Sequence, residues 1–371
     1  MSHQPKILNF NAGPSALPQE VRRKLVKSIE SLNGGPGILE LSHRSSAFVE
    51  IVEQAKAEIS LLYQLPDSHE VLFLQGGASL QFAMIPYNLG TRGGFITTGE
   101  WSKRAFAEAK RLVDKREETP IELHSEASHG FRTTPQRVSL FTSGQPLQYI
   151  HLTSNNTIFG TQYLTLPEFE HIPKIRPPLV IDASSDLFSR RVDWSRVDLL
   201  YGGAQKNAGP AGVTVVIGRK DLLRRPTVQA LCPKILEYRT HAEKNSLYHT
   251  PNTLGIFGVG EVAKWVNQRG GVSAMNERAM ARSAQLYQII DESKAYIGHA
   301  EICARSQMNI TFRGRDPHIE ARLLAKATQL NMFGLKGHRS VGGLRASLYN
   351  AIPEESVLHL YSLLKEIDQE F

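Results

Sequence analysis

Lys206 stands alone among small residues in Gly202-Gly203-Ala204-Gln205-Lys206-Asn207-Ala208-Gly209-Pro210-Ala211-Gly212. An apolar run, Val197 to Tyr201, leads into this stretch, and Val213 to Ile217 leads out of it. The pattern predicts strand, tight turn, strand. A lysine at a strand mouth, without bulky neighbours, can approach a flat molecule closely. Withdrawn from water, its amine loses its proton more readily and can form a Schiff base with an aldehyde. A solvated turn lysine is the plain alternative, because most lysines are surface groups. Asp182 bears on that choice. Leu179-Val180-Ile181-Asp182 reads as a short apolar strand ending in an acid, 24 residues before Lys206. An aspartate there can keep a heteroaromatic nitrogen protonated, which makes the ring an electron sink; its ordinary role would be to cap the next turn.

Strand-end aspartate plus lysine is the pairing expected of pyridoxal phosphate chemistry. Further pieces follow in order. Val71 to Gln75 reads as a strand, and Gly76-Gly77-Ala78-Ser79 opens the helix-like run Leu80 to Met84. Small residues before a helix leave backbone N–H groups free to hold a phosphate. Trp101 follows Thr97-Thr98-Gly99-Glu100, where its ring could stack on a heterocycle or fill a core. Asn155-Asn156-Thr157 follows the strand Tyr149 to Leu152 and could hydrogen-bond a cofactor or form a plain Asn-rich turn. Each element alone is weak; five at strand ends in a consistent order are not.

Ser42-His43-Arg44-Ser45 and Gly337-His338-Arg339-Ser340 carry the same His-Arg-Ser, and Arg345 lies six residues beyond Arg339. Arginine grips a carboxylate or phosphate in a fork, and histidine adds a donor. A substrate carrying both anions would need several such groups, whereas two unrelated surface loops would need none.

These residues must be held by a scaffold. The 371 residues suggest about two domains, and 41% hydrophobic with 21% charged residues describes an ordinary globular chain. No run of 18 apolar residues predicts a transmembrane helix, and Met1 to Phe10 lacks a signal-peptide core. Cys232 and Cys303 form no Cys-x-x-Cys or zinc arrangement, which fits a reducing cytoplasm; both are expected to be small buried hydrophobes. The formal net charge is +7 without a long basic run, so anionic small molecules are favoured over nucleic acid as partners.

Apolar runs recur near 71–75, 94–98, 149–153, 179–182, 197–201 and 213–218. Helical spacing appears at Val49-Val52-Ala55-Ile59-Leu62 and from Phe106 to Val113. The alternation predicts an α/β core with a mainly parallel sheet. Gly270-Gly271 reads as a helix stop before a long helix, Ser273 to Asp291. A smaller α+β unit should follow, with strands at Met308 to Arg313 and Leu344 to Tyr349. Helices are expected at Pro317 to Leu330 and from Pro353.

At this point the chain resembles the phosphoserine aminotransferase family, within the class V aminotransferases and the fold-type I pyridoxal phosphate enzymes. The resemblance covers essentially the whole chain. It is carried by Asn9-Phe10-Asn11-Ala12-Gly13-Pro14, Leu41-Ser42-His43-Arg44, Gly203 to Gly212 and Lys336 to Ala351. It implies a fold-type I transferase, α/β, with a seven-stranded, mainly parallel sheet and a smaller α+β domain. The large domain would span 16–265, and the small one 1–15 and 266–371. It implies that Lys206 carries pyridoxal 5′-phosphate, Asp182 pairs with its ring nitrogen and Trp101 stacks on it. Ala78, Ser79, Thr157 and Gln205 would hold the cofactor and its phosphate, with Thr250 reaching in from the partner of a homodimer. His43, Arg44, His338, Arg339 and Arg345 would bind the substrates, L-glutamate and 3-phosphohydroxypyruvate, in serine biosynthesis, with vitamin B6 synthesis a related role of the family. A class V transaminase for an unphosphorylated keto acid such as glyoxylate is the rival. Two positions depart from the family: His249 replaces an amide that donates to the cofactor phosphate, and Ser79 stands where some members have arginine.

Overall fold

The computed structural model describes residues 7–113, 119–142 and 146–371. Its centre is a seven-stranded sheet made of β1 (His69–Leu74), β2 (Gly93–Thr97), β3 (Ile121–Ser125), β4 (Tyr149–Thr153), β5 (Leu179–Asp182), β6 (Leu199–Gly203) and β7 (Thr214–Arg219). The spatial order is β1-β7-β6-β5-β4-β2-β3. Only β7 runs against the others. β4, β5 and β6 are buried along their whole length. Strands covered on both faces need continuous apolar sequence, which is why they stand out as unbroken runs. β3 is an edge strand whose residues are partly exposed and alternate in polarity, so it escapes an apolar-run search.

Helices cover the sheet. α1 (Gln19–Glu30), α2 (Ser46–Tyr63), α3 (Gly77–Leu89) and α4 (Glu100–Arg111) precede its last strands, and α5 (Thr253–Asn267) follows them. In α2 the buried stripe is Phe48, Val52, Ala55, Ile59 and Leu62, a helical period that begins at Phe48 and leaves Val49 at the surface. Each large member of that stripe contributes about 1.5–3 kcal/mol of burial free energy. Ser45 caps the helix by accepting from Phe48 N at 3.3 Å. Gly270 and Gly271, at φ 92° and 70°, separate α5 from α6 (Gly271–Glu292) in a left-handed turn that a side chain would resist.

A second core lies beyond. It gathers Leu286, Ile290, Phe312, Leu323, Leu344 and Leu360, from α6, a three-stranded sheet (Tyr296–Gly298, Asn309–Gly314, Leu344–Ser347), α7 (Pro317–Gln329) and α8 (Glu354–Asp368). The early part of α6, Val272 and Met275, belongs instead to the main core. Leu8 and Phe10 belong to the second core, so the chain's first described residues pack with its last. Leu8–Asn9 pairs in parallel with Met332–Phe333, and Ser347 N donates to Phe10 O at 3.2 Å. Tyr349 Oη donates to Ala12 O at 2.8 Å. Three residues further on, Ser15 N donates to Gln205 O at 3.0 Å and the Ser15 hydroxyl donates to Lys206 O.

Candidate active site

The carboxyl ends of the parallel strands converge on Lys206. In such sheets the crevice beyond those ends is where ligands bind. β5 delivers Asp182, whose register partners are Thr153 on β4 and Tyr201 on β6. β6 runs to Gly203, and Lys206 sits in the turn before β7. α4 begins just after β2 and presents Trp101. The Lys206 Nζ lies 5.2 Å from the Trp101 ring centroid. Gly13 closes over the lysine stem, since a Cβ there would sit 2.9 Å from Lys206 Cγ.

Burial lowers the proton affinity of Lys206; Asp182 opposes that effect and the Arg345 charge adds to it. Asp182 is pushed the other way, upward, by its own burial, while Lys206 and two Ser184 hydrogen bonds favour its anion. Ser184 N and Oγ both donate to Asp182 Oδ1, at 3.0 and 2.6 Å. Among the described residues Oδ2 receives no donor, so a buried carboxylate keeps one oxygen for a protonated ring nitrogen. Tyr201 and His151 lie deeper, with Nε2 and the hydroxyl 2.8 Å apart, and burial pushes His151 down to about 3.

Thr157 ties the parts together. Its Oγ1 accepts from Trp101 Nε1 at 3.3 Å, and its carbonyl accepts from Arg345 Nη1 at 2.9 Å. Arg345 Nε is buried without a partner, so an open side of the fork remains for a carboxylate. His338 lines one small cavity with Arg345. Burial holds the His338 imidazolium below its usual range, and the charges of Arg345, Arg339 and Arg104 add to that, with Glu100 opposing. Gly76 and Gly77, at φ 82° and 63°, turn the chain into α3 and leave the first-turn N–H groups of Ala78 and Ser79 facing outward from the helix end. The open Asp182 oxygen, the flanking indole and the helix end fit a phosphorylated pyridine.

Not every residue singled out in the sequence joins this group. Thr250 is exposed, and its Oγ1 lies 3.2 Å from His43 Nδ1. Among the described residues no hydrogen bond joins either of them to Lys206. His43 Nε2 is buried and unpaired, and Arg44 beside it is exposed. His249 Nε2 lies 3.0 Å from Gln75 Nε2 and its Nδ1 is buried without a partner. Gln205 flanks Lys206, and Arg339 is exposed beside His338. The amide nitrogens of Asn155 and Asn156 are spent inside the protein, on Ser185 and Asn309 and on Thr98 and Thr161, whereas Thr157 meets both Trp101 and Arg345. Neither cysteine is buried as expected: Cys303 is exposed and Cys232 partly so. Arg104, stacked on Trp101, went unnoticed in the sequence; its signal was the spacing of one helical turn from the tryptophan.

A seven-stranded sheet of this order, with a lysine in the β6–β7 turn and an aspartate ending β5, defines a fold-type I transferase. The aminotransferase class-V family profile matches residues 7–360, and the chain belongs to that family. It is a pyridoxal phosphate-dependent transaminase. The phosphoserine aminotransferase of Lysinibacillus sphaericus is 46% identical over 366 residues, 97% of this chain and 98% of that one. The solved phosphoserine aminotransferase from Bacillus circulans subsp. alkalophilus superposes with a TM-score of 0.90 at 39% identity, covering 98% and 99% of the two chains. The pyridoxal phosphate-bound enzyme of Trichomonas vaginalis gives 0.85 at 34% identity, over 97% and 100%. No helix among the described residues is long and apolar enough to cross a membrane.

Proposed function

We propose that the chain transfers the amino group of L-glutamate to 3-phosphohydroxypyruvate, giving O-phospho-L-serine and 2-oxoglutarate, as relatives of that name do. The observation that carries the reading is a group of anion-binding side chains: His338 and Arg345 line one small cavity, the Arg345 charge reaches Lys206, and the Arg339 charge acts on His338. A lone carboxylate needs fewer positive groups than this. The step serves serine biosynthesis in a reducing cytoplasm, where two free cysteines are at ease.

Pyridoxal phosphate, when bound, supplies a protonated ring that takes up the electron pair left at the substrate Cα. Asp182 would hold the proton on its ring nitrogen, and Trp101 would cover its face. Ala78, Ser79, Thr157, Gln205 and His249 would secure it and its phosphate. Thr250 would reach the phosphate of a second copy's cofactor in a two-fold dimer, since within its own chain it turns to His43. Lys206 Nζ takes the proton from Cα and holds it for return. Its lowered proton affinity keeps a larger fraction of the amine neutral and able to accept that proton. Arg345 forks onto the α-carboxylate and orients Cα toward Nζ. His338 and Arg339 take the distal anion, and His43 and Arg44, which lie beside Thr250, would join them from the second copy.

The test compares 3-phosphohydroxypyruvate with hydroxypyruvate. Two charge-assisted hydrogen bonds made only to the phosphate, at about 1.5–3 kcal/mol each, favour it by roughly 10²–10⁴ in kcat/KM. Equal reactivity would favour a class V transaminase for an unphosphorylated acid such as glyoxylate.

A further inference from the structure

We propose that Arg104 is a further specificity-determining residue, a cation at the site mouth that draws in the phosphate of the acceptor substrate. The inference rests on the reading above and deepens it. Arg104 lies on α4 one turn beyond Trp101. Its guanidinium carbon is 5.0 Å from the Trp101 ring centroid, and Lys206 Nζ is 5.2 Å from the same point. The two cations are therefore separated by no more than about 10 Å, and the indole bridges the distance between them.

The side chain is held in place from two directions. The flat guanidinium rests on the indole, a contact suited to arginine and poorly made by lysine. Glu100 accepts from Arg104 Nε at 2.9 Å across one helical turn. Only Nε is engaged there, so among the described residues the two terminal nitrogens meet no carboxylate. The Arg104 side chain is 55% exposed, open to an arriving ligand, whereas Arg345 Nε is buried. Arg104 also acts on His338, as do Arg339 and Arg345. Three arginine charges thus act on one histidine, Arg345 from a partly buried position and Arg104 from an exposed one. That spread suits a small molecule with a carboxylate at one end and a phosphate at the other. An exposed pair such as Glu100–Arg104 contributes little to stability, so engaging the free nitrogens costs the fold little.

The experiment measures kcat and KM of the holoenzyme for 3-phosphohydroxypyruvate, hydroxypyruvate and L-glutamate, in the unmutated chain, Arg104→Gln and Arg104→Lys. The absorbance of bound cofactor reports that the site is intact. Arg104→Gln should raise KM for the phosphorylated acceptor on the order of 10- to 100-fold, with little change in kcat or in the hydroxypyruvate values. Arg104→Lys should recover part of the loss, because it restores charge without the stack. If the unmutated enzyme prefers the phosphorylated acceptor and Arg104→Gln keeps that preference, or slows both acceptors equally, the role assigned to Arg104 is overturned and the substrate reading stands. If the unmutated enzyme shows no preference, the substrate reading fails and this inference fails with it. Should Arg104→Gln lose its cofactor absorbance, Arg104→Met, which keeps apolar cover on the indole, decides by the same criteria.

Discussion

Replacing Arg345 by Gln probes the geometry most directly. The guanidinium is held on one side by the Thr157 carbonyl, 2.9 Å from Nη1, and leaves a buried Nε without a partner. That open side can make two charge-assisted hydrogen bonds to a carboxylate. At about 1.5–3 kcal/mol each, their loss amounts to roughly 3–6 kcal/mol, or about 10²–10⁴ in kcat/KM. Every substrate carries the α-carboxylate, so L-glutamate and the keto acid should suffer alike. A second consequence concerns Lys206. The Arg345 charge helps to hold its proton affinity down, so Arg345→Gln should move the absorbance titration of the lysine-linked cofactor to higher pH. Arg345→Lys keeps the charge and loses the fork, so it should cost one prong, about 1.5–3 kcal/mol, and leave the titration nearly in place. Steady-state kinetics with each substrate and a spectrophotometric pH titration give both readouts. A loss confined to the phosphorylated acceptor, or an unmoved titration in Arg345→Gln, would refute the placement of Arg345 at the carboxylate beside Lys206.

Three further outcomes follow from the same geometry. Lys206→Ala removes the amine proposed to link the cofactor and move the proton, so transamination should fall by at least about 10⁴-fold and the lysine-linked absorbance should vanish; near-normal turnover in the purified variant would contradict the site. Gly13 has φ 135° and no space for a Cβ beside Lys206 Cγ, so Gly13→Ala should lower both thermal stability and kcat, measured by calorimetry and by the standard assay. His151 has a folded value of about 3 against an ordinary 6.5, so the folded state binds fewer protons. Its stabilising contribution is complete above pH 6.5 and is lost as the pH falls toward 3, by about 1.4 kcal/mol per unit. His151→Gln, which cannot titrate, should flatten the urea-unfolding stability across that window; an unchanged slope would show that the imidazole is not shielded from water.

Much of this site was legible because the chemistry sits at ends of strands that are buried on both faces. Such strands must be unbroken apolar runs, and the residue that ends each run is conspicuous, as Asp182 is after Leu179 to Ile181. The edge strand Ile121–Ser125 was not legible, since half-exposed residues alternate and leave no run. Asn155 and Asn156 looked as available as Thr157. Only the three-dimensional arrangement shows that Ser185, Asn309, Thr98 and Thr161 take up their amide nitrogens. Arg104 was hidden for a different reason: its meaning depends on a ring one turn away and on a histidine over 200 residues later. The repeated His-Arg-Ser motif suggested one binding surface, yet only His338 lies with Arg345, while His43 pairs with Thr250.

The stretch from Leu8 to Ser15 behaves as a tether with two anchors. At one end it is woven into the outer core through Met332–Phe333, Ser347 and Tyr349. At the other it grips the main chain of Gln205 and Lys206 through Ser15. A rotation of the outer unit therefore pulls on the backbone of the reactive lysine unless those bonds break. Any movement of the outer unit and the aim of the amine would then be one mechanical coordinate, which a graft or cleavage within those eight residues would uncouple.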